Sequence, residues 1–113
     1  MKAKAAVSLS PGDLVKIIIN DINYIKQGYA TGSKVKDGLE IYSEISLEDY
    51  PSSDDFTGST TLVKEGDIAM IVRFIGRPFK IPTDPSWFEY DIYEIIVKGQ
   101  VRQAFKNNLF NLT

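Results

Sequence analysis

Cysteine and histidine are both missing from this 113-residue chain. Without a thiol there is no disulfide and no thiolate nucleophile. Without an imidazole the common zinc sets, haem ligation, Ser-His-Asp relays and histidine acid/base catalysis lack their residues. Long apolar runs are missing too. The longest, Ile17 to Ile19 and Ile68 to Val72, fall far short of the roughly 20 residues that span a bilayer. Met1 to Leu9 carries Lys2 and Lys4 with a short Ala/Val stretch, which is not the apolar centre of a secretory signal. A cytoplasmic protein with no membrane association is the expectation. A surplus of positive charge is also lacking: the net charge is −2 and the pI about 5.1, whereas strong nucleic-acid binders usually exceed a pI of about 9.

What is present suffices for one domain over residues 1–113. Hydrophobic residues make up 43% of the chain, and a chain of this length buries roughly two-thirds of its unfolded surface. Charge is unevenly placed. Residues 1–36 hold six Lys and two Asp, whereas residues 37–55 hold seven acids and no base. The acidic stretch, Asp37, Glu40, Glu44, Glu48, Asp49, Asp54 and Asp55, reads as a solvated face and loop or as a partner-facing lobe. It disfavours direct phosphate contact, because like charges repel a polyanion.

The patterns are those of short strands. Pro11-Gly12-Asp13 is turn chemistry before Leu14–Ile19, where Val15, Ile17 and Ile19 alternate on one face. Asp37-Gly38 supplies a hairpin turn between 29–36 and 39–47. In the second arm Leu39, Ile41, Ile45 and Leu47 share one face, and Glu40, Tyr42, Glu44 and Glu48 the other, a period of two. A helix through Ile41, Tyr42 and Ile45 is the competing reading. Regular structure is expected to stop over 49–60, rich in Pro, Ser, Asp and Gly, which makes a mobile loop. Residues 1–10 read as a flexible N-terminal segment. Ile68–Ile75 is apolar on both alternate sets apart from Arg73, so its second face needs a cover. Three prolines bar 76–85 from a central strand. Trp87–Val97 and Gln100–Phe105 form a hairpin at Lys98-Gly99, and Asn107 and Asn108 are placed to cap a turn through Leu109 and Phe110. Gly-Asp precedes a strand twice, at Gly12-Asp13 and Gly66-Asp67, as a shared turn solution.

An all-β fold follows, as a small, partly open barrel of about five strands with a long loop insertion. Ile96-Val97-Lys98-Gly99-Gln100-Val101 resembles the second Sm motif, and Pro11-Gly12-Asp13-Leu14-Val15 is similar to the opening of KOW-like barrels. The element order from 10 to 112 resembles small barrel proteins encoded by marine phages, for which the location would be the host cytosol. The resemblance implies a closed homo-oligomeric ring that binds single-stranded RNA or DNA, with Lys98 and Gly99 in the base-binding loop. Two departures accompany it: Lys98 replaces the usual Arg and loses its planar fork, and 76–86 lacks the Asn of the first motif.

The residues themselves offer a matching site. Arg73, Arg77 and Lys80 lie near Phe74, Phe79 and Trp87, and Lys98, Arg102 and Lys106 flank Phe105, so bases would stack on aromatics while cations meet phosphates. The plainer reading makes those aromatics core and those cations rim. The candidate nucleic-acid residues are therefore Lys98, Gly99, Arg102, Arg77 and Lys80. Paired carboxylates stand at Asp54-Asp55 and Glu89-Asp91, and no base or nucleophile neighbours them in sequence. The expectation is a non-catalytic protein without cofactor or metal. It is either a ring-forming nucleic-acid binder or a phage structural or adaptor component that uses the barrel for protein contacts.

Overall fold

The computed structural model describes residues 9–19, 33–35, 37–47, 56–79 and 81–113. Eight strands lie along it: β1 (Leu14–Ile17), β2 (Ser33–Val35), β3 (Gly38–Ile45), β4 (Phe56–Val63), β5 (Ile68–Gly76), β6 (Ile92–Val97), β7 (Gln100–Phe105) and β8 (Leu109–Asn111). Two short 3-10 segments, Pro85–Tyr90 and Lys106–Asn108, precede β6 and β8. No helix among the described residues is long and apolar enough to cross a membrane. The all-β expectation holds, with more strands than expected.

The two Gly-Asp signals are one turn used twice. In each, the Asp carboxylate accepts a hydrogen bond at 2.8 Å from the N–H three residues back, Ser10 for Asp13 and Lys64 for Asp67. The Asp N–H returns a bond to that residue's carbonyl at 3.0 Å. The turns feed β1 and β5, which pair antiparallel with Leu14 opposite Met70. They also clamp the ladder at both ends. Gly12 donates to the Ile71 carbonyl and Ile71 to that of Asp13, while Gly66 donates to Ile17 and Ile17 to Asp67.

All pairings are antiparallel. β4 lines one edge of β3, β2 and then β7 line the other, and the order continues through β6, β5 and β1 to β8. No ladder joins β4 to β8 among the described residues, so the sheet is open. It curls nonetheless, and the end of β4 meets the β6–β7 turn through side chains: Thr61 Oγ1 donates to Gln100 Oε1 at 2.8 Å.

Two cores occupy opposite faces. The inner face gathers Val15, Ile17, Leu39, Ile41, Val63, Ile71, Tyr93, Ile95 and Leu109. The outer face, at one end of the strands only, gathers Ile45, Ile92 and Phe105 beneath Ile81, Tyr90 and Trp87 of the proline-rich excursion. Each such side chain buried contributes about 1.5–3 kcal/mol before the ordering cost. Adjacent residues serve both cores, Ile92 outward and Tyr93 inward, Phe105 outward and Ala104 inward.

Several expectations are corrected. The face shared by Leu39, Ile41, Ile45 and Leu47 is split: the β3–β4 register shifts between Tyr42 and Glu44, so Leu39 and Ile41 join the inner core while Ile45 and Leu47 join the outer one with Tyr42. A bulge of this kind reverses the side-chain alternation. Residues 56–60, expected in a loop, belong to β4, because threonines and a waiting edge of β3 outweigh the loop-like composition. Positions 49–55 lie outside the described residues, as do 1–8, but Leu9 is buried in the inner core and its N–H donates to Tyr93 Oη. Val35 stands opposite Gly38, so Gly38 belongs to β3 rather than to the turn. Trp87–Tyr90 form a 3-10 segment instead of the start of a strand, and Leu109 and Phe110 are extended. Asn108 is buried, and its Nδ2 donates to the Ile18 carbonyl at 2.8 Å.

Two glycines separate backbone strain from crowding. Gly99 has φ 75° and open space where a Cβ would stand, whereas a Cβ at Gly38 would overlap the Val63 carbonyl oxygen. Gly99→Ala is expected to cost about 1 kcal/mol. Gly38→Ala should cost more, about 3 kcal/mol, because β4 must shift. Equilibrium urea unfolding of both variants measures this, and a smaller loss at Gly38 would show that β4 yields freely.

Candidate functional site

The excursion over residues 77–90 covers the outer face at one end and leaves the other end bare. There the register aligns apolar side chains across five strands. Leu14 on β1 is opposite Met70 on β5, Met70 opposite Ile96 on β6, and Ile96 opposite Val101 on β7. Leu112, just past β8, donates its N–H to the Leu14 carbonyl and extends the row. Phe110 and Ile68 flank Lys16 in a second, shorter row. These seven hydrophobic side chains are 37–54% exposed. With strands about 4.8 Å apart, the main row is about 19 Å long.

The borders of this surface are ion pairs of opposite sign. Arg73 Nε meets Glu94 Oε1 at 3.0 Å on the side toward the excursion. On the far side Lys98 Nζ lies 3.6 Å from Asp67 Oδ2. Lys16 Nζ stands 5.3 Å over the ring of Phe110, a cation–π contact that keeps this cation on its own strand's neighbour.

The sequence-derived candidates do not converge on one basic surface. Lys98 and Gly99 form the expected two-residue turn, with φ 54° and 75°, and the Lys98 ammonium donates to the Leu62 carbonyl at 2.9 Å. Arg102 lies opposite Ile95, on the inner face, and turns its guanidinium along β7 to Gln100 Oε1 and the Val101 carbonyl. Arg77 is largely enclosed. Its Nε bonds Asp91 Oδ1 at 2.7 Å, and Nη1 donates to the carbonyls of Pro82 and Asp84 at 2.8 and 2.9 Å. Arg77 thus ties the excursion to the start of β6. Lys80 lies outside the described residues. The aromatics divide likewise: Trp87 and Phe105 are in the outer core, Phe74 packs edge-on to Tyr93 at 5.3 Å, and Phe79 is 82% exposed.

Of the carboxylate pairs, Asp54 and Asp55 lie outside the described residues, Glu89 is buried, and Asp91 is engaged by Arg77. Among the described residues no group of three or more Asp or Glu side chains is placed to hold a metal ion. Sequence reading missed the apolar row because its members come from five strands and only the register unites them. The one local signal was the apolar occupancy of both alternate sets in Ile68–Val72 and Ile95–Val97.

Arg77 and Lys106 allow two checks. Arg77→Ala would leave Asp91 partly buried without its cation, and a loss of about 3 kcal/mol of stability is expected; thermal unfolding with unchanged oligonucleotide affinity would separate this role from phosphate binding. Burial lowers the Lys106 ammonium from its usual 10.5, with the nearby Asp91 carboxylate opposing the shift. The unfolded chain then holds more protons than the folded one between the lowered value and 10.5, so stability rises with pH across that window. The melting temperature of wild type relative to Lys106→Met should increase from neutral pH toward about pH 10, and a constant difference would refute the assignment.

Comparison with known proteins gives no matching family model, no matching curated protein and no matching solved structure.

Proposed function

We propose that this chain is a non-catalytic protein-contact module, a structural or adaptor component whose working surface is the bare outer face of the sheet. The observation that carries the reading is the five-strand apolar row from Leu112 to Val101. Monomeric proteins seldom expose contiguous apolar patches beyond a few hundred Å2 unless the patch contacts something. The basic candidates support it indirectly. Arg77 is spent on the excursion, Arg102 faces inward, and Lys98 is paired with Asp67, so no cluster of unengaged cations among them is offered to a phosphate chain.

The finer fold belongs to the same proposal. β8, β1, β5, β6 and β7 are contiguous in the sheet, and we read them as a five-strand small barrel of the Sm-like and KOW-like type. β2, β3 and β4 are then the long insertion, attached through the pairing of β3 with β7. On this reading the insertion leaves the barrel's bare face unobstructed.

The test is a fluorescence-anisotropy titration of labelled uridine-rich and mixed single strands at several salt concentrations. No salt-dependent binding is expected. Binding whose logarithm falls with log salt by about one unit per phosphate contact, and which Lys98→Ala with Arg102→Ala reduces, would overturn the protein-contact reading in favour of a nucleic-acid-binding ring.

A further inference from the structure

The protein-contact reading leaves the partner unnamed, and the bare face itself constrains it. Its borders carry two opposite-sign pairs, Arg73 with Glu94 and Lys98 with Asp67, and the further cation described on the face, Lys16, lies over the Phe110 ring. A strongly acidic or basic partner would find little surplus of the opposite sign there. A partner with the same alternation would fit.

Resting on that reading, we propose that the outer apolar row is a self-association face on which a second copy of this chain packs sheet to sheet about a two-fold axis. The axis runs parallel to the strands between β5 and β6. It sets Met70 of one copy against Ile96 of the other, and Leu14 against Val101. It also sets Arg73 of each copy against Glu94 of the other, because Arg73 and Glu94 are cross-strand neighbours on those two strands. Each residue thus meets the partner of its own ladder pair, the self-complementarity that an isologous interface requires. Aligned sheets pack about 10 Å apart with strand directions within about 30° of each other, which suits side chains that stand straight out from an open row.

The area is of the right order. Seven hydrophobic side chains at 37–54% exposure present several hundred Å2, and with the charged rim this approaches the roughly 800 Å2 per partner of a standard interface. Edge pairing is a poorer route to assembly for the segment that most needs a cover. Over Ile68–Met70 β5 is flanked by β1, and β6 pairs it from Ala69 onward, so at this end its exposed apolar side chains, Ile68 and Met70, are covered only from the face. The ring closed through strand edges, expected from sequence, gives way to a face-packed pair.

Sedimentation of the full chain from low micromolar to submillimolar concentration tests this. Wild type should pass from monomer to dimer. Ile96→Lys, in the row but already 37% exposed and therefore tolerable to the fold, should raise the dissociation constant at least about tenfold. Phe79→Lys, exposed but off the row, should leave it unchanged. Arg73→Glu and Glu94→Arg should each weaken the dimer, and the two together should restore it, a readout that does not depend on the Ile96 variant. A wild type that stays monomeric throughout, a dimer indifferent to Ile96→Lys, or a charge swap that fails to restore would each overturn the proposal. Such a result with no salt-dependent oligonucleotide binding leaves the protein-contact reading standing with a different protein as partner; salt-dependent oligonucleotide binding lost with Lys98 and Arg102 removes that reading itself.

Discussion

Three central strands of this sheet carry apolar residues on both faces, and the rest of the structure is arranged around finding a cover for each. β6 shows it most plainly: Tyr93, Ile95 and Val97 point one way and are buried, while Ile92 points the other way and is also buried. A curled sheet covers only its concave side. The convex side needs separate material, and the chain supplies it from the proline-rich excursion that seats Ile81, Tyr90 and Trp87 on Ile92 and Phe105. Proline suits that task because the segment must pack without joining a ladder.

The polar groups of the excursion follow from the same need. A loop lying on a sheet must satisfy its backbone carbonyls, and Arg77 does so for Pro82 and Asp84 while its Nε holds Asp91. Asp84 accepts from the Ser86 N–H and so starts the 3-10 segment. Bulges then let one strand serve two covers. β3 passes from inner to outer core at Ser43, and β5 shifts register twice between Ile71 and Gly76, placing Ala69 and Ile71 inward and Ile75 outward. The excursion packs on Ile92 and Phe105 and leaves Met70 and Ile96 exposed, and the bare row is what remains.

Much of this was legible from residue order. The twin Gly-Asp turns, the Lys98-Gly99 hairpin and the two-faced character of Ile68–Ile75 all rest on local chemistry, and the structure has them; Pro78, Pro82 and Pro85 lie off the sheet as expected, although Gly76, grouped with them, ends β5 opposite Ile92. Ile45 was misplaced because a bulge leaves no mark in an alternating pattern; Ser43, whose Oγ accepts from the Ser59 N–H, looks in sequence like any polar residue between two apolar ones. β4 was missed because Phe56 to Thr61 earns its strand from the edge of β3 rather than from its composition. Among the site residues, Arg77 and Arg102 were read by charge alone, and charge says nothing about whether a guanidinium turns toward solvent, a carbonyl or a carboxylate. The apolar row was invisible for the opposite reason, since each member is an ordinary strand residue until the register is known.

The paired turns at Gly12-Asp13 and Gly66-Asp67 bear on how the chain finds its register. The ladder between β1 and β5 joins segments about fifty residues apart, a closure whose entropic cost must be met before contacts reward it. Each turn is local and forms without the other, stiffened by its own aspartate. When the two strands meet, Gly12 and Asp13 already present a matched donor and acceptor to Ile71, and Gly66 and Asp67 do the same for Ile17. A slip by one residue would leave both sets unmatched at once and turn Val15 and Ile17 out of the core. The duplicated turn therefore acts as a pair of end stops, converting a late, long-range search into a single admissible docking.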